Sequence, residues 1–380
     1  MPRPTALAKV HSIASRLHAD TASTGRNIVI AMIDSDFVGH PDLTMPNNRI
    51  LCYVDATNDT VTPTPPGIAL PRHWHGTMTA CATAGNGMLS NGGYASLAPE
   101  ATIILIRTMH ENGRIPTPTI VRALDWLIDN AAAHDIRVVN ISVYADEYDQ
   151  TLEHPVTARV EQLVAMGVVV VAAAGNDPTA PIRPPAAAPS AITVGGLNDH
   201  NRIDNDDAEL YHSSFGITSI GVQKPDVIAP AMWLAAPMIP GTDVQREAAA
   251  LSALDAMDDE MFEACVPLLL RYTSVTHQPD GDLSTTRRSV TAAIKDKQLI
   301  GPHYKLVDGT SFAAPIVTSI VAQMLALDPM LTPAAVKELL LCTARPLVDH
   351  PLHRQGAGMV MQPEVIEAIR QRMMSAAITV

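Results

Sequence analysis

Short continuous apolar runs alternate along the chain with longer segments whose apolar positions recur at helical spacing. The pattern predicts strands at 28–33, 102–107, 137–143, 168–173 and 191–195, a helix beginning near Gly76, and helices over 117–133 and 156–166. Residues 5–19 read as a short amphipathic helix, followed by the polar, turn-like ADTASTGRN. The run Val168-Val169-Val170-Val171 is apolar throughout rather than alternating, as expected of a strand covered by helices on both faces. Strand and helix in alternation imply right-handed βαβ crossovers, hence an α/β fold with a mostly parallel sheet. In such sheets ligands gather beyond the carboxyl ends of the strands, where Asp34 and Asn176 fall.

The alternation breaks between KPDVIAPA and DGTSFAAP. Residues 241–303 are rich in charge and carry the helical stretch REAAALSALDAMDDEMFEACVPLLLRY, so they read as an insertion followed by a mobile polar loop, HQPDGDLSTTRRS. A helix at 311–327 follows, then another whose start is signalled by Thr332 as N-cap and Pro333 as first helical residue. A turn at QGAG leads into a last helix.

Composition sharpens this picture. With 380 residues, 47% of them hydrophobic, the chain can bury a large core, while 4% aromatics suits helix-covered aliphatic strands better than a β-sandwich. A formal charge of -13 argues against a phosphate-backbone partner, so no nucleic acid is expected. Cys52, Cys81, Cys265 and Cys342 are scattered without a C-x-x-C pair, which points away from a disulfide framework or structural zinc and toward a reducing compartment. The N-terminus lacks an apolar signal core and no membrane span is read, so the expectation is a soluble, cytoplasmic protein.

The candidate chemistry lies at element ends. A serine hydroxyl needs a base within hydrogen-bond reach, itself oriented by a buried carboxylate. Ser311, at the start of an apolar helix, His75 and Asp34 supply those residue types. The Ser311 amide, at a helix N-terminus, can help hold an oxyanion. Taken singly, each has a plainer reading: Asp34 as a turn cap, Ser311 as an N-cap, Asn176 as a turn residue, and His75 as a helix-start histidine, which with His73 also forms the H-x-H spacing of a metal-binding pair. Cys52 and Cys81 read as small packing groups.

In the order Asp, His, Ser, the segments MIDSDF, HGT and GTSFAAP resemble the subtilase family of serine endopeptidases, as do HPDL, RVVNISV, AAAGN, PSAITVGG, KPDVIAP and QGAG. The resemblance implies a subtilisin-like three-layer fold, with a catalytic domain over 27–380, an N-terminal extension over 1–26 and the 241–303 insertion as an atypical addition. It implies that Asp34 orients the histidine, His75 is general base then acid, Ser311 is the nucleophile, and Asn176 donates its amide to the oxyanion. It also implies that an extended peptide substrate adds as a strand between Ser142-Val143 and Gly113-Arg114-Ile115, with Ala174-Gly175 lining the primary specificity pocket. No cofactor is required for the chemistry. Asp42 matches a family calcium ligand, but the loop Gly85–Gly93 resembles that of members lacking the calcium loop, certain intracellular subtilases among them, so a structural calcium is not favoured.

Three positions depart from the family pattern. Asp36 stands where a glycine is usual and brings a negative charge near Asp34; Met78 follows HGT; Tyr144 replaces a glycine and is bulky enough to narrow the cleft. These motivate two alternatives: a catalytically silent subtilase fold that binds protein, and an esterase or peptide ligase using the same triad. The insertion, entering just before the nucleophile segment, is expected to shape or gate the cleft.

Overall fold

Along the first strand, Ile30 and Met32 turn to one face of the sheet while Ala31 and Ile33 turn to the other, and all four are fully buried. Successive side chains alternate sides, so a strand apolar at every position must be covered twice. The computed structural model describes residues 5–204, 207–276 and 282–378. Its nine-stranded sheet contains β1 (Val29–Asp34), β2 (Ile50–Asp55), β3 (Thr60–Thr62), β4 (Thr102–Arg107), β5 (Ile136–Ile141), β6 (Val169–Ala173), β7 (Ile192–Asn198), β8 (Glu209–Leu210) and β9 (Val227–Pro230). The order is β9-β7-β6-β5-β1-β4-β2-β3, with β8 against β7. Only β3 and β8 run antiparallel to their neighbours.

Helices α1 (Trp74–Ala84) and α7 (Thr310–Leu327) cover one face, and α2 (Thr117–Asn130) and α3 (Pro155–Ala165) the other. In between along the chain come α4 (Asp243–Ala256), α5 (Asp259–Leu269) and α6 (Leu283–Asp296); α8 (Pro333–Thr343) and α9 (Gln362–Ile378) close it. The three-layer α/β expectation therefore holds. By length and composition α7, with 18 residues, is long and apolar enough to cross a membrane, contrary to the sequence reading, but 83% of it is buried within the fold. It reads as apolar all round because it packs on nearly every side.

Helices α4, α5 and α6 bury Leu251, Leu254, Phe262, Val266 and Ile294 in continuity with the main core. They lie between the antiparallel strands β10 (Leu234–Pro237) and β11 (Tyr304–Val307), whose second arm leads directly to Ser311. Much of the expected polar loop after Tyr272 is instead α6; residues 277–281 of it lie outside the described residues.

The expected helix at 5–19 shrinks to the single turn Ile13–Arg16. Tertiary contacts stretch the rest: Ala6 N donates to Asp255 Oδ2 (2.8 Å) and Ala8 N to Leu299 O (3.1 Å), both in the 241–303 segment. Arg16 is wholly buried, paired with Asp199 at 2.6 Å and donating to the carbonyls of Met232 and Trp233.

The pairing register gathers the functional ends. Asp34 ends β1 opposite Arg107 of β4, and Ser142 N, just past β5, donates to Ile33 O (3.2 Å). The chain leaves β1 for β2 and β4 on one side and later builds β5, β6 and β7 on the other, which makes β1 the switch point of the sheet.

Candidate active site

Asp34 is fully buried at the carboxyl end of β1. Its Oδ1 lies 2.6 Å from His75 Nδ1 and accepts the Ser35 amide at 2.5 Å, while Oδ2 accepts the Thr79 hydroxyl at 2.8 Å. Thr79 sits one helical turn beyond His75, so α1 supplies both the imidazole and a second clamp on its carboxylate. Gly76 lets α1 seat this close, since a Cβ there would meet Asp36 O at 2.4 Å.

Burial works against the charged form of His75, but the charge of Asp34 and the hydrogen bond to it outweigh burial and raise the imidazole pKa above its ordinary value. With Nδ1 engaged by the carboxylate, Nε2 is the nitrogen left for proton transfer. The ring is flanked by Trp74, edge-on at 5.2 Å, and by Phe312 at 5.8 Å. Phe312 follows Ser311, so the imidazole borders the turn that carries the serine.

That turn is anchored at several points. Gly309 adopts φ 134°, a conformation L side chains rarely take, and opens α7. Of the first four amides of α7, Thr310 N donates to Asn176 Oδ1 (2.9 Å), and Phe312 N and Ala313 N donate to Gly309 O (3.0 and 3.3 Å). The Ser311 amide is the one left over, at the positive end of the helix. The Ser311 carbonyl accepts the Ser142 hydroxyl (3.1 Å), which accepts from Asn140 Nδ2 (3.0 Å); Asn140 Oδ1 accepts the Thr318 hydroxyl (3.0 Å). This relay ties the Ser311 turn to β5.

Asn176 lies beyond the end of β6. Its Oδ1 accepts both the amide and the hydroxyl of Thr310, each at 2.9 Å, and the same hydroxyl accepts from Gly175 N at 3.1 Å. Two donors on Oδ1 fix the orientation of the amide group and leave Nδ2 without a protein acceptor among the described residues. Sequence reasoning missed Thr79, Asn140 and Thr310 as clamps. Helical spacing from His75 would have found Thr79; nothing local marks Asn140.

Ala174, Gly175 and Asn176 line a cavity of about 140 Å³, with Tyr144 on its wall. Tyr144 is turned against the Arg183 guanidinium, 4.9 Å from the ring centre, and so forms a pocket wall. The side chain of Val143 is buried, leaving only its backbone available. Gly113 and Arg114 do not form an open strand edge: Gly113 N donates to His110 O (2.9 Å), Arg114 N to Asn112 Oδ1 (3.1 Å), and Arg114 O accepts His110 N (2.9 Å). The short span favours a closed turn, and Ile115 packs against the core.

The charge that Asp36 was expected to press on Asp34 is neutralised. Asp36 is fully buried and accepts from Tyr53 OH (2.7 Å) and Arg72 Nε (2.7 Å), with Arg107 Nε at 3.3 Å. Burial pushes its pKa up, but His73, Arg72, Tyr53 and the Phe37 amide together hold it down at about 2. His73 is also buried and engaged locally, its Nδ1 accepting Leu70 N (3.1 Å) and its Nε2 lying 3.3 Å from Asp36, so it does not pair with His75 around an ion.

Asp42 does not fit calcium. One carboxylate oxygen accepts Tyr304 OH at 2.5 Å and the other Leu89 N at 3.1 Å, while its buried neighbours are the imidazole of His40 and the thiol of Cys81. Calcium takes six to eight oxygens. His40 offers no free nitrogen either: Nδ1 accepts Asp42 N (3.1 Å) and Nε2 faces Met238 O (3.3 Å).

Comparison with known proteins agrees with this geometry. A family model described as the subtilase family matches residues 25–358. Serine protease AprX of Bacillus subtilis (strain 168) is 27% identical over 345 residues, covering 89% of this chain and 65% of that protein. The minor extracellular protease Epr of the same organism is 30% identical over 204 residues, covering 52% of this chain and 28% of Epr. Among solved structures, fervidolysin from Fervidobacterium pennivorans, a keratinolytic enzyme related to subtilisin, superposes with TM-score 0.61 at 21% identity, covering 91% of this chain and 43% of its own. The S41 psychrophilic protease gives TM-score 0.60 at 22% identity, covering 90% and 91%. The chain spans less than two thirds of the length of the first curated relatives it matches.

Proposed function

Because the chain belongs to the subtilase family, we propose that it is a serine endopeptidase acting on protein or peptide substrates, with Ser311 as nucleophile, His75 as general base and acid, and Asp34 as the orienting carboxylate. The observation that carries this reading is the 2.6 Å bond from a buried Asp34 to His75 Nδ1, on an imidazole that borders the Ser311 turn. Ser311 Oγ attacks the peptide carbonyl carbon while His75 Nε2 takes the hydroxyl proton. The developing oxyanion is held by the Ser311 amide and Asn176 Nδ2, the two donors that the local network leaves free. Collapse of the tetrahedral intermediate expels the amine, which leaves with the proton from His75; water then repeats the sequence and frees the acyl group.

Substrate backbone lies along Ser142 and Val143, and the side chain on the acyl side of the scissile bond enters the cavity over Ala174 and Gly175. The chemistry requires no cofactor. The four cysteines are all free thiols, which supports a reducing, cytoplasmic setting.

The test is a serine-directed fluorophosphonate probe combined with cleavage of a mixed peptide library. Labelling that disappears in Ser311→Ala, together with cleavage lost in both Ser311→Ala and His75→Ala, supports the proposal. A folded protein that neither takes up the probe nor cuts peptide refutes it.

A further inference from the structure

The cavity beside Asn176 is lined by a cation that neither the triad nor the oxyanion donors use. Arg183 is the only lysine or arginine lining it, and among the described residues it has no carboxylate partner. The guanidinium stacks on Tyr148, 3.9 Å from the ring centre, and on Tyr144 at 4.9 Å, and one of its N–H groups bonds the Tyr148 hydroxyl. These contacts engage one N–H and the π-faces of the two rings, and leave the other N–H donors of the guanidinium available for a carboxylate. The backbone beneath it is fixed, since Arg183 O accepts Ala187 N (3.1 Å) and Pro184 O accepts Ala145 N (2.8 Å).

The other charged group on the wall is turned into its own loop. Asp177 Oδ1 accepts both the hydroxyl (2.6 Å) and the amide (2.8 Å) of Thr179, bonds that lower its pKa. Ala173, Ala174 and Gly175 carry no side chain beyond a methyl and so leave room along this wall for methylenes. A volume of about 140 Å³ accepts a side chain of moderate size.

We propose that this pocket selects an acidic residue, glutamate above all, on the acyl side of the scissile bond, with its carboxylate held by Arg183. The inference rests on the peptidase reading and names the substrate class of that site. Glutamate places two methylenes along the alanine and glycine wall and brings its carboxylate to the guanidinium, where paired, charge-assisted bonds form. The overall charge of -13 opposes an acidic peptide at long range. Salt screens that repulsion beyond about 8–10 Å, whereas the contact pair inside the pocket is screened less.

The experiment uses four peptides identical except for glutamate, glutamine, phenylalanine or lysine at that position, assayed with the wild type, Arg183→Gln and Arg183→Lys, alongside fluorophosphonate labelling of Ser311. A charged hydrogen-bonded pair predicts kcat/KM for glutamate about 10- to 100-fold above glutamine in the wild type. The preference collapses to near one in Arg183→Gln and is partly kept in Arg183→Lys, while the labelling rate of Ser311 stays unchanged. Glutamine or phenylalanine cleaved as fast as glutamate, a preference that survives Arg183→Gln, or labelling without cleavage of any of the four, overturns the Arg183 assignment and leaves the nucleophile intact. Absence of both labelling and cleavage overturns the peptidase reading itself, and the pocket's role falls with it.

Discussion

Replacing Asp36 by asparagine keeps the shape of the side chain and removes its charge, which isolates what the buried cluster contributes. The carboxylate accepts from Tyr53, Arg72 and the Phe37 amide at 2.7–2.8 Å and has Arg107 at 3.3 Å. Removing one partner of a buried pair typically costs about 3–5 kcal/mol, because the other charge is left uncompensated. Here both cations keep other partners: Arg72 pairs with Glu111 at 2.8 Å, and Arg107 with Asp55 at 3.1 Å and Glu111 at 2.9 Å. Holding the Asp36 pKa at about 2 against an ordinary 3.8 corresponds to about 2 kcal/mol, slightly less once solvent screening is allowed for. Asp36→Asn should therefore cost about 2 kcal/mol near neutral pH, read by urea unfolding in a Ser311→Ala background that keeps self-cleavage out of the measurement.

The sign with pH follows from the depressed pKa. The Asp36 contribution is fully present above the unfolded-state value of 3.8 and is lost as pH falls through about 2, so the two proteins converge in stability across that window. A difference below about 0.5 kcal/mol at pH 7, within the range of ordinary surface substitutions, would refute this account of the cluster, as would a gap that stays constant down to pH 2.

Two further outcomes follow from the site. On the proposed mechanism catalysis needs the neutral imidazole, and Asp34 raises the His75 pKa, so kcat/KM should climb with pH and level off above an apparent pKa higher than the ordinary 6.5; Asp34→Asn should lower that pKa and cut kcat by about 10⁴-fold, and a wild-type acid limb at or below 6.5 counts against the pairing. Tyr304→Phe strips a donor from the buried Asp42 carboxylate and should cost about 1–3 kcal/mol in chemical unfolding, while added calcium leaves the wild-type Tm unchanged; a Tm that rises with calcium would reverse the reading of Asp42.

The parallel sheet, its helical layers and the residue types of the proposed triad are legible along the chain because each depends on local pattern. Val168–Val171 must be buried on both faces wherever they lie, and Asp34, His75 and Ser311 announce themselves by standing at the ends of such elements. The same local reasoning over-extended the helix at 5–19, where hydrogen bonds to Asp255 and Leu299, hundreds of residues away, hold the chain extended. The family resemblance, for its part, implies an extended substrate along Gly113-Arg114, whose amides instead close a turn.

Charge and orientation were decided by tertiary structure alone. Asp36 read as an unwelcome anion until Tyr53, Arg72 and Arg107 came to surround it, because a carboxylate's effect depends on which cations reach it and neither distance nor burial is written in sequence. The segment AAAGN singles out Asn176, but only the Thr310 contacts fix which end of its amide is left free. Nothing local in the sequence marks Arg183; folding alone sets it against Tyr144 and Tyr148 on the wall of the pocket.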